Sequence, residues 1–274
     1  IDFNLLESVQ SFAGTALFIV VALLVLFLVF LAYAAATVGV ILKYANFTLH
    51  KRGGELIIRR GLLERRQLTI PSEKIQSLRV VENIIRQPFG LVTVYLETAS
   101  GSVAEEGNAK VMLFPLVKKT EAEHLVSKVL SGYVFESDLQ SLPKKTVIRY
   151  VLRQWLWAFV IIGLSIYFFR PAGYYALLLL PVSGLWGYIL HRAAGWKLEH
   201  DQLSFSYRLF LSKHTYLARK GRIQSLDVKQ SYFQKRAGLT TVECVTKTGA
   251  GTSGGFIKDL EAEYSDRIYK WFRS

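Results

Sequence analysis

Cysteine is almost missing from this 274-residue chain. Cys244 stands alone, which excludes an intrachain disulfide, and one thiol among five scattered histidines (His50, His124, His191, His200 and His214) makes no zinc site. Cys244 reads as a small residue on a strand. Charge is missing from Ser11 to Leu42, and 32 uncharged positions at ~1.5 Å each exceed the ~30 Å hydrocarbon core of a bilayer. The basic start, short apolar core and small-residue cleavage site of a signal peptide are not matched there. Thirty-two residues also suffice for a very tight hairpin, but no Pro, Asn or Asp interrupts Ala16 to Leu31, which favours one long, tilted helix.

Catalytic motifs are lacking too. No nucleophile and base, no paired carboxylates and no ligand cluster occurs with recognisable spacing, so no enzyme activity, cofactor or metal is expected. Glu105-Glu106 reads as a solvated turn. The glycine-rich run Gly249 to Gly255 lacks the Gly-Lys-Ser/Thr ending of a phosphate loop and is expected to be a flexible hairpin loop. The spans carry no ionisable group at mid-depth, which weighs against an ion or proton pathway. No aromatic stacking motif accompanies the basic residues, so nucleic acid is discounted as a partner.

What the chain does have is apolar mass and positive charge: 51% apolar residues, a mean hydropathy of +0.26 and a net charge of +13. That combination describes a membrane protein with basic domains attached. Residues 43 to 149 hold 17 Lys/Arg against 11 Asp/Glu, and residues 191 to 274 hold 15 against 8, so both halves are cationic.

The halves are also copies. Ile75-Gln76-Ser77-Leu78 returns 148 positions later as Ile223-Gln224-Ser225-Leu226, and the same offset lays Gly90-Leu91 on Gly238-Leu239 and Thr93-Val94 on Thr241-Val242. A period this long marks a duplicated domain. The expected organisation is a lead-in at 1–10, a transmembrane helix at 11–42, a first domain at 43–135, a linker at 136–146, a transmembrane hairpin at 147–192 and a second domain at 193–274. Because residue 1 is isoleucine, the chain is expected to be part of a longer one.

Within the first domain, short turn-punctuated strands run from Asn46 to Phe114, and Val92, Val94 and Leu96 alternate with polar neighbours as on a sheet wet on one face. After Pro115 the period becomes 3.6, with Ala122, Leu125, Val126, Val129 and Leu130 on one helical face and a capping-box spacing at Thr120 and Glu123. The second domain repeats this plan, with Asp259 as the expected N-cap of a helix presenting Tyr264, Ile268, Trp271 and Phe272. Six or seven strands closed by a helix result. Pro181 predicts a kink in the hairpin, and Gly14, Gly39, Gly163, Gly184 and Ala34-Ala35-Ala36 offer close helix packing. Lys43, Lys51 and Arg52 after the first span, and Lys144, Lys145, Arg149, Arg153, Arg192 and Lys197 around the hairpin, place both domains in the cytoplasm.

Arg60-Gly61-Leu62-Leu63-Glu64-Arg65-Arg66-Gln67, Thr69-Ile70-Pro71, Ile75-Gln76-Ser77 and Val81-Glu82-Asn83 resemble the YdbT-type membrane-flanked family with bacterial pleckstrin-homology-like (PH-like) domains. The second repeat keeps less of the pattern: Gly61, Pro71 and Glu82 are Leu209, Arg219 and Gln230 at the aligned positions. The resemblance implies an α+β membrane protein in a bacterial plasma membrane, with transmembrane helices and two PH-like domains, each a curved antiparallel seven-stranded sheet closed by a C-terminal helix. It supplies no catalytic residues.

The expected role is that of a scaffold binding a partner protein, anionic lipid headgroups at the inner leaflet, or both, with self-association also open. The alternative is a transport or envelope-protection component whose spans carry the function. Candidate contacts are Arg65, Arg66, Lys74, Arg79 and Arg86 in the first repeat, and Lys213, Arg219, Lys220, Arg222, Lys235 and Arg236 in the second. Each such charge near an anionic leaflet contributes about 1 kcal/mol, within a Debye length of ~8 Å.

Overall fold

The computed structural model describes residues 3–99, 110–130, 132–135, 138–249 and 251–274, with side chains from residue 16 onward. Glu105-Glu106 and the surroundings of Gly14 lie outside the described residues. The chain divides into two compact units, one comprising residues up to His50 with Ile57–Leu68, the other Lys51–Leu56 with Thr69–Ser274.

The first unit is dominated by α1 (Phe3–Tyr44), one uninterrupted helix. The apolar stretch is therefore not folded back on itself, and its Ala16–Tyr44 segment is long and apolar enough to cross a membrane. After it come β1 (Thr48–Arg52), β2 (Glu55–Arg60) and β3 (Arg66–Pro71), which form a three-stranded sheet in that order.

The remaining strands of the first repeat are β4 (Ile75–Asn83), β5 (Leu91–Thr98) and β6 (Lys110–Lys118), followed by α2 (Lys119–Val129). Pro115 is tolerated inside β6 because that strand is the sheet edge and its register with β5 slips between Val92 and Val94. The linker adds a two-residue strand, β7 (Gln140–Ser141). A helical pair follows, α3 (Val147–Phe168) and α4 (Leu179–Ala193), joined through a 3-10 stretch at Ala172–Leu178. The second repeat contains β8 (Gly195–Glu199), β9 (Gln202–Leu209), β10 (Ser212–Arg219), β11 (Ile223–Lys229), a short α5 (Tyr232–Arg236), β12 (Leu239–Thr248), β13 (Gly251–Glu261) and α6 (Ala262–Arg273).

The seven-stranded antiparallel sheet is present, but it is built from both repeats. Its order is β6-β5-β4-β10-β9-β8-β7, and β4 meets β10 from Ser77↔Ala218 to Asn83↔Ser212. Each repeat supplies six strands in two groups of three among the described residues. The last group of the first repeat is fused edge to edge with the first group of the second, which removes two exposed strand edges at once. The remaining group, β11-β12-β13, packs around a core that includes Trp196, Phe205, Tyr216, Val242, Cys244 and Ile257, closed by Ile268 of α6.

Neither closing helix starts as the side chains suggested. The N-cap of α2 is Lys118 and that of α6 is Glu261, and neither makes a side-chain cap bond. The first amide of each helix instead donates to a glycine carbonyl: Lys119 N to Gly90 O at 2.8 Å, and Ala262 N to Gly238 O at 3.0 Å. Gly90 and Gly238 have φ of 63° and 65°, so this backbone turn is what the repeated Gly-Leu pair preserves. The capping box of the described chain lies in α5, between Ser231 and Gln234.

The run Gly251–Gly255 is not a loop but the start of β13, paired with β12 from Thr248↔Gly251 to Cys244↔Gly255. Gly255 lies on the ring of Tyr216, where a Cβ would come within 2.5 Å of Cδ1. Glycine is needed there for close approach.

In the helical pair, Pro181 falls in the first turn of α4, where proline sacrifices no helical hydrogen bond; the break is the change from 3-10 to α upstream of it. Trp155 Nε1 and Ser183 Oγ both donate to the Leu180 carbonyl, at 3.1 Å each. Gly187 makes the tight helix contact, its Cα facing Val151 so closely that a Cβ would lie 2.7 Å from Val151 Cα. Gly184 lies near Trp155, whereas Gly39 and Gly163 face open space.

Candidate functional site

In the first unit the chain leaves α1 and immediately folds the β2–β3 turn against the helix end. Gly61 N donates to Ala45 O at 2.8 Å and Leu62 N to Leu42 O at 3.0 Å. This places an open cleft of about 550 Å³ at the foot of the span, lined by Asn46, Thr48, Arg59, Arg60, Gly61, Arg65, Arg66 and Gln67. Four guanidinium groups thus share one concavity. Arg59 Nε donates to Gln67 Oε1 at 2.8 Å, Arg66 Nε to Glu64 Oε1 at 2.9 Å, and the Arg60 guanidinium lies 4.8 Å from the centre of the Tyr44 ring. Such contacts hold arginines in place, and arginine's planar fork suits phosphate.

In the second unit the candidate cations separate into two ends and an interior. Gly195, the first residue of β8 and two positions past α4, pairs with Ser206, and Glu199 pairs with Gln202, so the Leu209–Ser212 end of the β9–β10 hairpin is the one nearest the spans. Arg86, Lys213, Lys235 and Arg236 belong to this near end. Arg86, Lys235 and Arg236 are exposed, whereas Lys213 is half-buried opposite Glu82 and burial lowers its pKa. Lys74, Arg219, Lys220 and Arg222 lie at the opposite end. The eight residues of β10 span roughly 24 Å, about three Debye lengths, so that group is out of electrostatic reach of a surface met by the near end. Arg219 there pairs with Asp201 at 3.1 Å, and Lys220 sits 5.7 Å from the centre of the Trp271 ring.

Arg79 belongs to neither end. It is 7% exposed, and it donates to Glu97 Oε1 at 2.9 Å, Tyr207 Oη at 2.7 Å, Ser253 Oγ at 3.0 Å and Gly254 O at 3.0 Å. A surface contact was expected of it; its geometry is that of an internal bolt joining β4 and β5 to β9 and β13. Ser77 adds a hydroxyl donor to Glu97. The signal for this was the position of Ser77 and Arg79 on one face of β4, with Glu97 on the neighbouring strand. His214 stacks on Tyr207 at 5.9 Å, and burial, followed by the charges of Arg79 and Lys110, lowers its pKa to about 4. Cys244 is fully buried and its thiol is pushed up to about 12 by burial, the behaviour of a structural residue.

Asp259, the expected cap, is fully buried at φ 60° and faces the helical pair instead. Arg149 Nε reaches its Oδ1 at 3.1 Å, Arg153 Nη2 its Oδ2 at 2.8 Å, and Gln234 Nε2 donates to Oδ1 at 3.0 Å. Lys145 pairs with Glu261 at 2.6 Å close by. The second repeat is thereby pinned to the first two turns of α3.

Among the described residues, three helices long and apolar enough to span a bilayer, together with antiparallel sheets built from a duplicated unit whose copies each end in a helix, define a membrane protein carrying PH-like domains. The chain belongs to the bacterial PH domain family, whose model matches residues 7–132 and 146–274. It is 36% identical over 264 residues to the UPF0699 transmembrane protein YdbT of Bacillus subtilis (strain 168), covering 96% of this chain and 53% of that protein. The chain thus spans about half the length of this curated relative. No solved structure matches it.

Proposed function

We propose that this chain is a noncatalytic, multi-pass component of the plasma membrane whose PH-like repeats form a scaffold at the cytoplasmic surface, taking an anionic lipid headgroup at the foot of α1. The observation that carries the reading is the arginine-lined cleft beginning where the span ends. Arg59, Arg60, Arg65 and Arg66 there, with Glu64 offsetting the charge of Arg66, leave a net excess of about three positive charges at about 1 kcal/mol each near an anionic leaflet, enough to bias the orientation of a tethered domain. Partner proteins would be recruited by the rest of the scaffold, including the distant cations Lys74, Arg219, Lys220 and Arg222.

The test is affinity purification from membranes after mild crosslinking, with co-purifying lipids and proteins identified by mass spectrometry. Arg65→Glu/Arg66→Glu is expected to lose at least about threefold of the retained anionic lipid, each lost contact being worth roughly 1 kcal/mol. Lys220→Glu/Arg222→Glu is expected to leave lipid retention unchanged. Equal anionic lipid in both variants would reject the cleft as a headgroup site.

A further inference from the structure

At the span-proximal end of the second unit, the turns carry apolar side chains where turn chemistry asks for polar ones. The β9–β10 connection is a two-residue turn, Phe210-Leu211, between paired Leu209 and Ser212. Such turns favour Gly, Asn or Asp at positive φ; here Phe210 holds φ 46° with 92% of its surface exposed. Leu211 is 53% exposed. The neighbouring β4–β5 connection presents Ile85 and Phe89 at 74% and 70% exposure, and Ile84 N bonds Leu211 O at 2.8 Å while Arg208 Nη2 bonds Gln87 Oε1 at 2.7 Å, so the two turns form one tip. On α5, Tyr232 and Phe233 are 77% and 72% exposed, and Arg149 of α3 donates to the Phe233 carbonyl at 3.3 Å.

Depth identifies the occupant. Ser206 Oγ bonds the Ala193 carbonyl in the last turn of α4, and Phe210 lies four residues farther along, roughly 13 Å of strand toward the spans. A small cavity is accordingly lined by Leu209 together with Gln154 of α3 and Leu190 of α4. The tip rises beside helices that are themselves apolar enough to cross a bilayer. Arg86, Lys235 and Arg236 flank it, a basic rim around an apolar tip being the composition that anchors protein surfaces at a lipid interface. The sequence offset of 148 sets Leu62-Leu63 on Phe210-Leu211 and Ile84-Ile85 on Tyr232-Phe233, so apolar pairs recur at these connections in both repeats.

We infer that Phe210, Leu211, Ile85, Phe89, Tyr232 and Phe233 form a membrane-dipping edge, inserted among the headgroups and upper acyl chains of the leaflet that α3 and α4 cross. This deepens the scaffold reading: the repeat is seated in the bilayer by apolar contact as well as by charge.

The experiment places single cysteines, Phe210→Cys, Phe233→Cys and Ile85→Cys, in the full chain, labels them with an environment-sensitive fluorophore and reconstitutes each in nanodiscs of phosphatidylcholine with or without phosphatidylglycerol. Buried Cys244 is the unlabelled background, checked on the unsubstituted chain. Lys247→Cys, on exposed surface near the opposite end of β12, is the aqueous control. Blue-shifted emission and quenching by acyl-chain nitroxides at least about twofold above Lys247→Cys are expected at the tip positions in both lipid mixtures, as interfacial burial of ~5–10 Å demands. Water-like emission at all three positions in folded protein, with thermal melting unchanged, overturns the inference. Protection in native membranes without quenching in nanodiscs also overturns it, since a protein would then cover this face. Loss of anionic-lipid retention in the cleft variants is read separately, so either proposal can fail alone.

Discussion

At the scale of single residues, polar groups inside the sheet decide stability. Glu97 is fully buried, and Arg79 and Ser77 are what make its charge tolerable. Removing one partner of such a pair leaves an uncompensated ion, at a cost of about 3–5 kcal/mol, so Arg79→Ala is expected to lower the thermal midpoint sharply, whereas Arg79→Met with Glu97→Gln recovers most of the loss. Equal melting of the single and double variants would contradict this. His214 adds a pH dependence. Its folded pKa of about 4 lies below the ordinary 6.5 because burial, then Arg79 and Lys110, oppose protonation. The unfolded chain therefore takes up the proton first: the stabilisation is complete above pH 6.5 and declines as pH falls toward about 4. Allowing for the partial exposure of the ring, the loss is ~1–2 kcal/mol, and His214→Gln is expected to flatten melting curves across that interval.

At the scale of elements, α3 and β13 are coupled through Asp259. Asp259→Ala would leave Arg149 and Arg153 facing a site with no carboxylate and would free the second repeat from the helical pair, at a cost of about 1–3 kcal/mol because both guanidinium groups keep partial access to water. Limited proteolysis near residues 194–195 and 258–260 is expected to accelerate at least tenfold; Asp259→Asn, which keeps the tolerance for positive φ, should lie between the two. Unchanged cleavage would show that other contacts hold the junction. This residue also marks where sequence reasoning stops. An aspartate shortly before an amphipathic helix has the local look of a cap, and its partners lie 106 and 110 positions away. The repeat, the long first span and the helical faces of Ala122-Val126 and Ile268 were legible because periodicity is local. The β4–β10 seam was not, since alternation in two strands never says which edges will meet. For the same reason Arg79 looked like one more surface cation: β4 is buried on both faces, which only the second repeat's arrival explains.

At the scale of the molecule, the seam constrains topology. β4 comes before the helical pair and β10 after it, and they share one sheet, so a crossing by α3 requires a return by α4. The expected side is argued from charge. Lys144, Lys145, Arg149, Arg153, Arg192 and Lys197 flank the pair on the sheet side, against Arg170 at the far turn. Asp259 offsets one of the two charges of Arg149 and Arg153 once folded, but orientation is set during insertion, when acids contribute little. The sheet is therefore expected in the cytoplasm. Tyr175→Cys, in the exposed 3-10 stretch, should react with a membrane-impermeant maleimide on intact cells, and Lys247→Cys only after lysis. The reverse pattern would place the sheet and its apolar tip on the outer side of the membrane and reject the cytoplasmic reading. Reaction of both on intact cells would separate the two repeats across the membrane, which the β4–β10 register does not allow.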